Sequence, residues 1–265
     1  MNIQSLGFSV NGFTAAGVVL TTILTTLPTS VQAITLVTQR TALNGNDSVE
    51  WSSLGRIFPA AVLPSSFNAT SNQGLGLNVQ IPPPTPGITQ PLAFQTLPLP
   101  HGIPTNFAPG DFILFTGFNP ASFPSPGNPG PLTITFDTPV KGAGTQIAVD
   151  DTFSFTAFVT AFDSEDTLLG SFSVPGTSSL ELDNSAAFLG ILSDKPNIKR
   201  VIYSTSESDR AFGINTLSLN TVPVPEPSSL AALGLVGLGV LTHACWVSFL
   251  NPTYKDDIRR RINDR

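Results

Sequence analysis

The sequence predicts an all-β domain, an antiparallel β-sandwich of jelly-roll type, set between an N-terminal signal segment and a C-terminal transmembrane helix. Three observations carry this prediction. Charged residues make up only 11% of the 265 residues, while Gly, Pro, Ser, Thr and Phe are abundant, a mixture that suits short strands joined by many turns. No interior stretch sustains 3.6-residue apolar spacing, whereas several alternate apolar and polar residues with period two. Near each end lies an uncharged apolar run of the length that sorting segments have.

From the N-terminus, residues 12–27 are apolar or threonine-rich, Pro28 breaks the run, and Val31-Gln32-Ala33 offers small residues where a signal peptidase reads them. This predicts a signal peptide over 1–33, cut after Ala33. No Lys or Arg precedes the run, so only the α-amino group supplies positive charge. Residues 34–221 then form the folded domain, long enough to bury its own core. That span holds seven basic against fourteen acidic residues, which removes nucleic acid as a partner. The chain's single cysteine is Cys245, outside the domain, so the fold relies on burial rather than disulfides.

Residues 81–131 are proline-rich, with Pro82-Pro83-Pro84 and Pro124-Ser125-Pro126 limiting strand pairing. They are expected to be long loops with short edge strands, closing one end of the sandwich. Phe94, Phe107, Phe112, Phe115, Phe118 and Phe123 argue against disorder there. Next, Leu132, Ile134 and Phe136 alternate with threonines, and Ile147 and Val149 repeat the pattern briefly. The run from Phe153 to Phe162 has apolar bulk on both faces and predicts a central strand. It leads through Asp163-Ser164-Glu165-Asp166 into Leu168 to Val174, which reads as a hairpin. Ala187 to Leu192, Ile198 to Ser204 and Ala211 to Asn220 are the remaining strand candidates.

A short stiff linker follows over 222–229 and contains Val224-Pro225-Glu226-Pro227. Residues 230–250 are rich in Leu and Val and match the roughly 20 residues a helix needs to cross a bilayer. The tail 251–265 carries Lys255, Arg259, Arg260, Arg261 and Arg265, which place it in the cytoplasm and the domain outside.

Proline-flanked Glu226, the Gly- and Leu-rich span and Arg259-Arg260-Arg261 together resemble the PEP-CTERM sorting signal of exported Gram-negative and cyanobacterial proteins. The resemblance implies that an exosortase reads Pro225, Glu226 and Pro227 while the helix and the arginines hold the chain in the membrane. One departure stands out: Asn251 to Ile258 intervenes before the arginines. The stretch from Pro131 to Leu219 also resembles a recurrent domain of cyanobacterial PEP-CTERM proteins, through Ile134 to Gly144, Ala161-Phe162-Asp163, Leu169 to Phe172 and Phe212 to Leu217. Relatives look like the jelly-roll sandwiches of carbohydrate-binding modules, and often carry Asp where Asn215 stands here.

Residues able to do chemistry are few. His101 lies among prolines, and no G-x-S-x-G nucleophile turn is present. Gly142-Ala143-Gly144 begins like a dinucleotide fingerprint but lacks its third glycine, and reads as a turn. Asp150, Asp151 and Asp163 are candidate calcium ligands, although Leu168 and Val174 exclude an EF-hand loop after Asp163. Trp51 is a candidate for stacking on a sugar ring, but with Leu54 and Ile57 after it the core is the preferred place. The expectation is therefore a non-enzymatic exported surface or matrix protein with no catalytic residue and no cofactor beyond candidate calcium. Its expected partners are an exosortase-type enzyme, the secretion machinery, the membrane and polysaccharide. The alternatives are a secreted glycan hydrolase or lyase, which needs paired carboxylates in one cleft, and a purely structural adhesin.

Overall fold

A computed structural model describes residues 33–55, 59–98, 105–122, 124–151 and 154–222. The predicted signal peptide, His101, Phe123, Phe153, the linker motif Val224 to Pro227, the membrane span and Arg259 to Arg261 lie outside the described residues.

Two antiparallel sheets make up the domain. In chain order the strands are β1 (Ile34–Val37), β2 (Asp47–Val49), β3 (Ala61–Val62), β4 (Ser66–Thr70), β5 (Gly76–Gln80), β6 (Leu92–Gln95), β7 (Phe112–Phe115) and β8 (Leu132–Val140). They continue as β9 (Gly142–Val149), β10 (Phe155–Phe162), β11 (Leu168–Gly176), β12 (Ala187–Ser193), β13 (Ile198–Thr205), β14 (Phe212–Ile214) and β15 (Leu217–Asn220). One sheet runs β1-β12-β9-β14-β7-β6-β3, with β15 between β9 and β2; the other runs β11-β10-β13-β8-β5-β4. From β8 onward the chain passes repeatedly between sheets, so strands adjacent in sequence, the β10–β11 hairpin and the β14–β15 pair apart, face each other across the core, as in a jelly roll. Lys141 alone separates β8 from β9, making one corner of the sandwich.

Period two decides which side chains go inside. Leu132, Ile134 and Phe136 of β8 are fully buried, while Thr133 and Thr135 between them are half-exposed. Strand β10 alternates in the same way, placing Phe155, Ala157, Val159 and Ala161 in the core. Its other face is half-buried, and there Phe162 lies under the Arg200 guanidinium, 4.5 Å from the ring centre. Paired to β11 and β13, β10 is an interior strand, although only β11 separates it from the sheet edge. The hairpin closes on Asp163, whose Oδ1 accepts the backbone N–H groups of Glu165 and Thr167, both at 2.9 Å.

Three expectations need correction. Gly142-Ala143-Gly144 is the start of β9 rather than a turn. Gly144 lies opposite Gly190 of β12, and a Cβ on Gly144 would meet the Phe188 ring at 2.7 Å and the Gly190 Cα at 2.9 Å. The glycines make a flat seat for that ring, and Leu43 and Leu192 pack beside it over Gly142. Second, β6 and β7 are not edge strands: they lie between β3 and β14. The proline-rich loops fold over the outer face of this sheet, where Phe94, Phe107, Phe115 and Phe118 build a second apolar cluster with Ala148, Ala186 and Ala211. Third, the stretch from Ala211 to Asn220 is two strands. Ile214 pairs with Ile147 but Ser218 with Gly144, so one extra residue bulges out at Asn215 and Thr216.

Candidate functional site

The bulge turns the backbone carbonyl of Asn215 into the core, where it accepts the Trp51 indole N–H at 2.7 Å and the Thr145 hydroxyl at 3.0 Å. The Asn215 side chain takes over pairing on the strand side, its Oδ1 accepting the backbone N–H of Gln146 at 3.1 Å. That oxygen also accepts Arg40 Nη2 at 3.0 Å, while Nδ2 donates to Asp111 Oδ2 at 2.9 Å and Gln146 Oε1 at 2.6 Å. Gln146 in turn donates to Asn184 Oδ1 at 2.9 Å. One amide thus joins an N-terminal 3-10 turn (Arg40–Leu43), the loop before β7, β9 and the segment entering β12.

Arg40 is the charged centre of this network. Its Nη1 donates to the Thr216 carbonyl at 3.0 Å and to the Ser218 hydroxyl, and its guanidinium lies 5.2 Å from the Phe188 ring centre. Burial lowers its pKa from the usual value, opposed by the Asp111 and Glu50 carboxylates. Glu50 accepts the Thr216 hydroxyl at 3.0 Å.

Next to Arg40 a polar cleft of about 390 Å³ is lined by Asn46, Asp47, Ser48, Asn72, Gln73, Thr216 and Ser218. Its walls are brought together by the turn between β4 and β5, where the Asn72 N–H bonds to the Ser48 carbonyl at 2.8 Å and Asn72 Nδ2 to Ser48 Oγ at 2.9 Å. Asp47 is built into the wall: it accepts the backbone N–H groups of Ser48 at 2.8 Å and Gln73 at 3.0 Å, and the Ser71 hydroxyl. Gln73 Nε2 donates to the Asn46 carbonyl. Beside the Arg40 guanidinium the lining is amide and hydroxyl chemistry, suited to hydrogen-bonding a hydroxylated ligand.

The candidates named from sequence fall elsewhere. Trp51 is fully buried in the core, so its ring is unavailable to a sugar. Asp150 and Asp151 stand at the end of β9, whereas Asp163 follows the opposite end of β10, an eight-residue strand that separates them by roughly 26 Å. They do not converge on one cation, and among the described residues no three His, Cys, Asp or Glu side chains group to hold a metal. Ala33 is exposed at the start of the described chain. The Asn215 network and the cleft were not foreseen: their residues are scattered through the sequence, and only the resemblance drew attention to Asn215.

Asp150 has a distinct electrostatic setting. Burial, then the neighbouring Asp151, push its pKa from 3.8 up to about 6, against the pull of Arg210. A raised carboxylate pKa contributes stability that is complete below pH 3.8 and lost as pH rises through about 6. Asp150→Asn is therefore expected to stabilise the domain by about 1–2 kcal/mol at pH 8 and by nothing at pH 3.5. Urea midpoints across that range test it, and an equal effect at both pH values would refute it.

Comparison with known proteins adds what the described residues do not contain. Residues 223–247 match the family model described as the PEP-CTERM protein-sorting motif. No curated protein sequence matches the chain. Among solved structures the domain is similar to a DUF4465 family protein from Bacteroides caccae ATCC 43185, with 13% identity and a TM-score of 0.38, covering 66% of this chain and 100% of that one. The chain carries a PEP-CTERM sorting motif, which implies an exported, surface-targeted protein held transiently at the membrane before an exosortase, a membrane enzyme, processes it.

Proposed function

We propose that the exported domain is a non-catalytic binder of hydroxyl-rich matrix polysaccharide, and that the polar cleft beside Arg40 is its contact. The observation that carries this reading is the cleft wall itself, where the side chains of Ser48, Asn72 and Gln73, held by the Asn72–Ser48 and Gln73–Asn46 bonds, line an opening of about 390 Å³ with amide and hydroxyl groups. Hydroxyl–amide hydrogen bonds suit a neutral sugar chain, and a wet site of this kind binds with modest affinity per contact. The carboxylates of this region support a binding role over hydrolysis. Asp47 is occupied by three donors and Glu50 by Thr216, whereas a glycosidase needs two carboxyl groups available to substrate.

The test is co-sedimentation of the processed protein with exopolysaccharide from its own cells. Asn72→Ala/Gln73→Ala is expected to weaken binding roughly tenfold, as the loss of one or two hydrogen bonds predicts. Wild-type binding in the double variant, or release of reducing ends by the wild-type protein, would overturn the reading.

A further inference from the structure

The chain enters and leaves the sandwich at the same pole. Ile34 at the start of β1 pairs with Ser193, Leu192 with Gly142, and Gly142 with Asn220 at the end of β15. Ala33 and Thr221 are thus three strand spacings apart, roughly 14 Å. Both points are tied down. The Ala33 carbonyl accepts the Asp194 N–H at 3.2 Å. Asn46 clamps Thr221 on both sides, donating to its carbonyl at 2.9 Å and accepting its N–H at 2.8 Å and its hydroxyl at 3.0 Å. Asn220 Nδ2 adds bonds to the Leu43 and Asn44 carbonyls at 3.0 and 3.1 Å.

The matched sorting motif begins at residue 223, with only Val222 between it and the clamped Thr221. The linker 222–229 reaches at most roughly 29 Å fully extended, about the length of the domain's own longer strands. A domain tethered so closely cannot tumble freely: its exit pole stays nearer the bilayer than its far pole.

Charge is distributed to match. Lys141, Lys195, Lys199 and Arg200 all belong to the exit pole, where they offset four of its six carboxylates, Asp47, Asp137, Asp163, Glu165, Asp166 and Asp194. The far pole carries Asp150, Asp151, Glu181, Asp183, Glu207 and Asp209 against Arg210 alone among the described residues. An anionic headgroup surface repels the second arrangement, net −5, far more strongly than the first, net −2, whose lysines can face the headgroups.

We infer that the pole bearing Ala33, Asn46, Gln73, Lys195 and Thr221 is a membrane-apposed surface, seated on the anionic headgroup plane while the chain is anchored, so that the polar cleft at this pole opens to ligand only once the chain is processed. Both the tethering geometry and the charge asymmetry select this pole, and either alone would favour it.

The full chain in vesicles of phosphatidylglycerol and phosphatidylethanolamine tests the inference. Its single cysteine, Cys245, can be changed to serine so that one fluorophore is placed at Gln73→Cys or Lys195→Cys on the exit pole, or at Glu181→Cys or Ser208→Cys on the far pole. Spin-labelled lipid headgroups are expected to quench the exit-pole labels at least threefold more strongly. The triple variant Lys141→Glu/Lys195→Glu/Lys199→Glu, labelled at Gln73→Cys, is expected to lose at least half of that quenching while keeping a wild-type melting profile. Equal quenching at the two poles, stronger quenching at the far pole, or quenching that the charge reversal leaves unchanged would overturn the inference.

Discussion

Trp51→Ala is expected to cost the domain about 4–5 kcal/mol, at the upper end for a buried aromatic. Trp51 is fully buried in a single 3-10 turn, Trp51–Ser53, and its ring joins the main core with Val49, Ala93, Leu114 and Leu217. Truncation forfeits the transfer energy of the ring and leaves a void that rigid strands on either side cannot close. It also removes the donor at 2.7 Å from the Asn215 carbonyl, although Thr145 Oγ1 at 3.0 Å still serves that oxygen. Because typical domains are stable by only about 5–15 kcal/mol, the loss is at least about a quarter of the whole, and the variant should unfold at a markedly lower urea midpoint. Trp51→Phe keeps most of the apolar volume and loses the hydrogen bond, so about 1–2 kcal/mol is expected. Urea midpoints with matched near-ultraviolet circular dichroism separate the two effects. Equal losses in both variants would mean that the indole N–H, rather than ring burial, carries the stability.

How much of this was legible in the sequence depended on whether a strand keeps one wet face. Strands β8, β10 and β13 show period two because one side meets the core and the other is polar or partly covered, and each was read within a few residues of its bounds. Strand β9 is buried on both faces, so Gly142 and Gly144 look like turn residues until the Phe188 ring is seen lying on them. The break at Asn215 was hidden because a bulge adds one residue without altering composition. Strands β1 to β5 are at most five residues long, too short for alternation to stand out from its surroundings. Trp51 announced itself as core by its apolar followers, but nothing in sequence linked it to Asn215. The cleft was invisible for a different reason: Asn46, Asn72 and Gln73 are ordinary loop residues and Ser48 lies in the three-residue β2, and they acquire a common wall only when the β4–β5 turn bonds to Ser48.

Asn215→Asp is expected to destabilise this chain by about 2–4 kcal/mol at pH 8. Asn215 is 3% exposed, and its Nδ2 faces two acceptors, Asp111 Oδ2 at 2.9 Å and Gln146 Oε1 at 2.6 Å. A carboxylate oxygen there has nothing to donate, and it sets a second negative charge against Asp111. Gln146 cannot turn its amide to compensate without giving up its bonds to Asn184 Oδ1 and the Ala186 carbonyl. Arg40 Nη2, 3.0 Å from Oδ1, neutralises one carboxylate but not both. The new pair is therefore expected to hold a proton to higher pH than an isolated aspartate. A protonated carboxyl restores the lost donor, so the stabilising form is present at low pH and disappears as pH rises through the raised pKa. The deficit relative to wild type should shrink steadily from pH 8 to pH 4, the opposite of a substitution that only disturbs packing. Arg40 also decides what calcium can do. Its guanidinium already occupies the place from which a cation would balance Asp111 and an aspartate at 215, so added calcium is expected to leave the melting temperature of Asn215→Asp unchanged. A rise with Arg40 intact would mean that the guanidinium moves aside for a metal, and that the network is a cation site in disguise rather than a hydrogen-bonded lock.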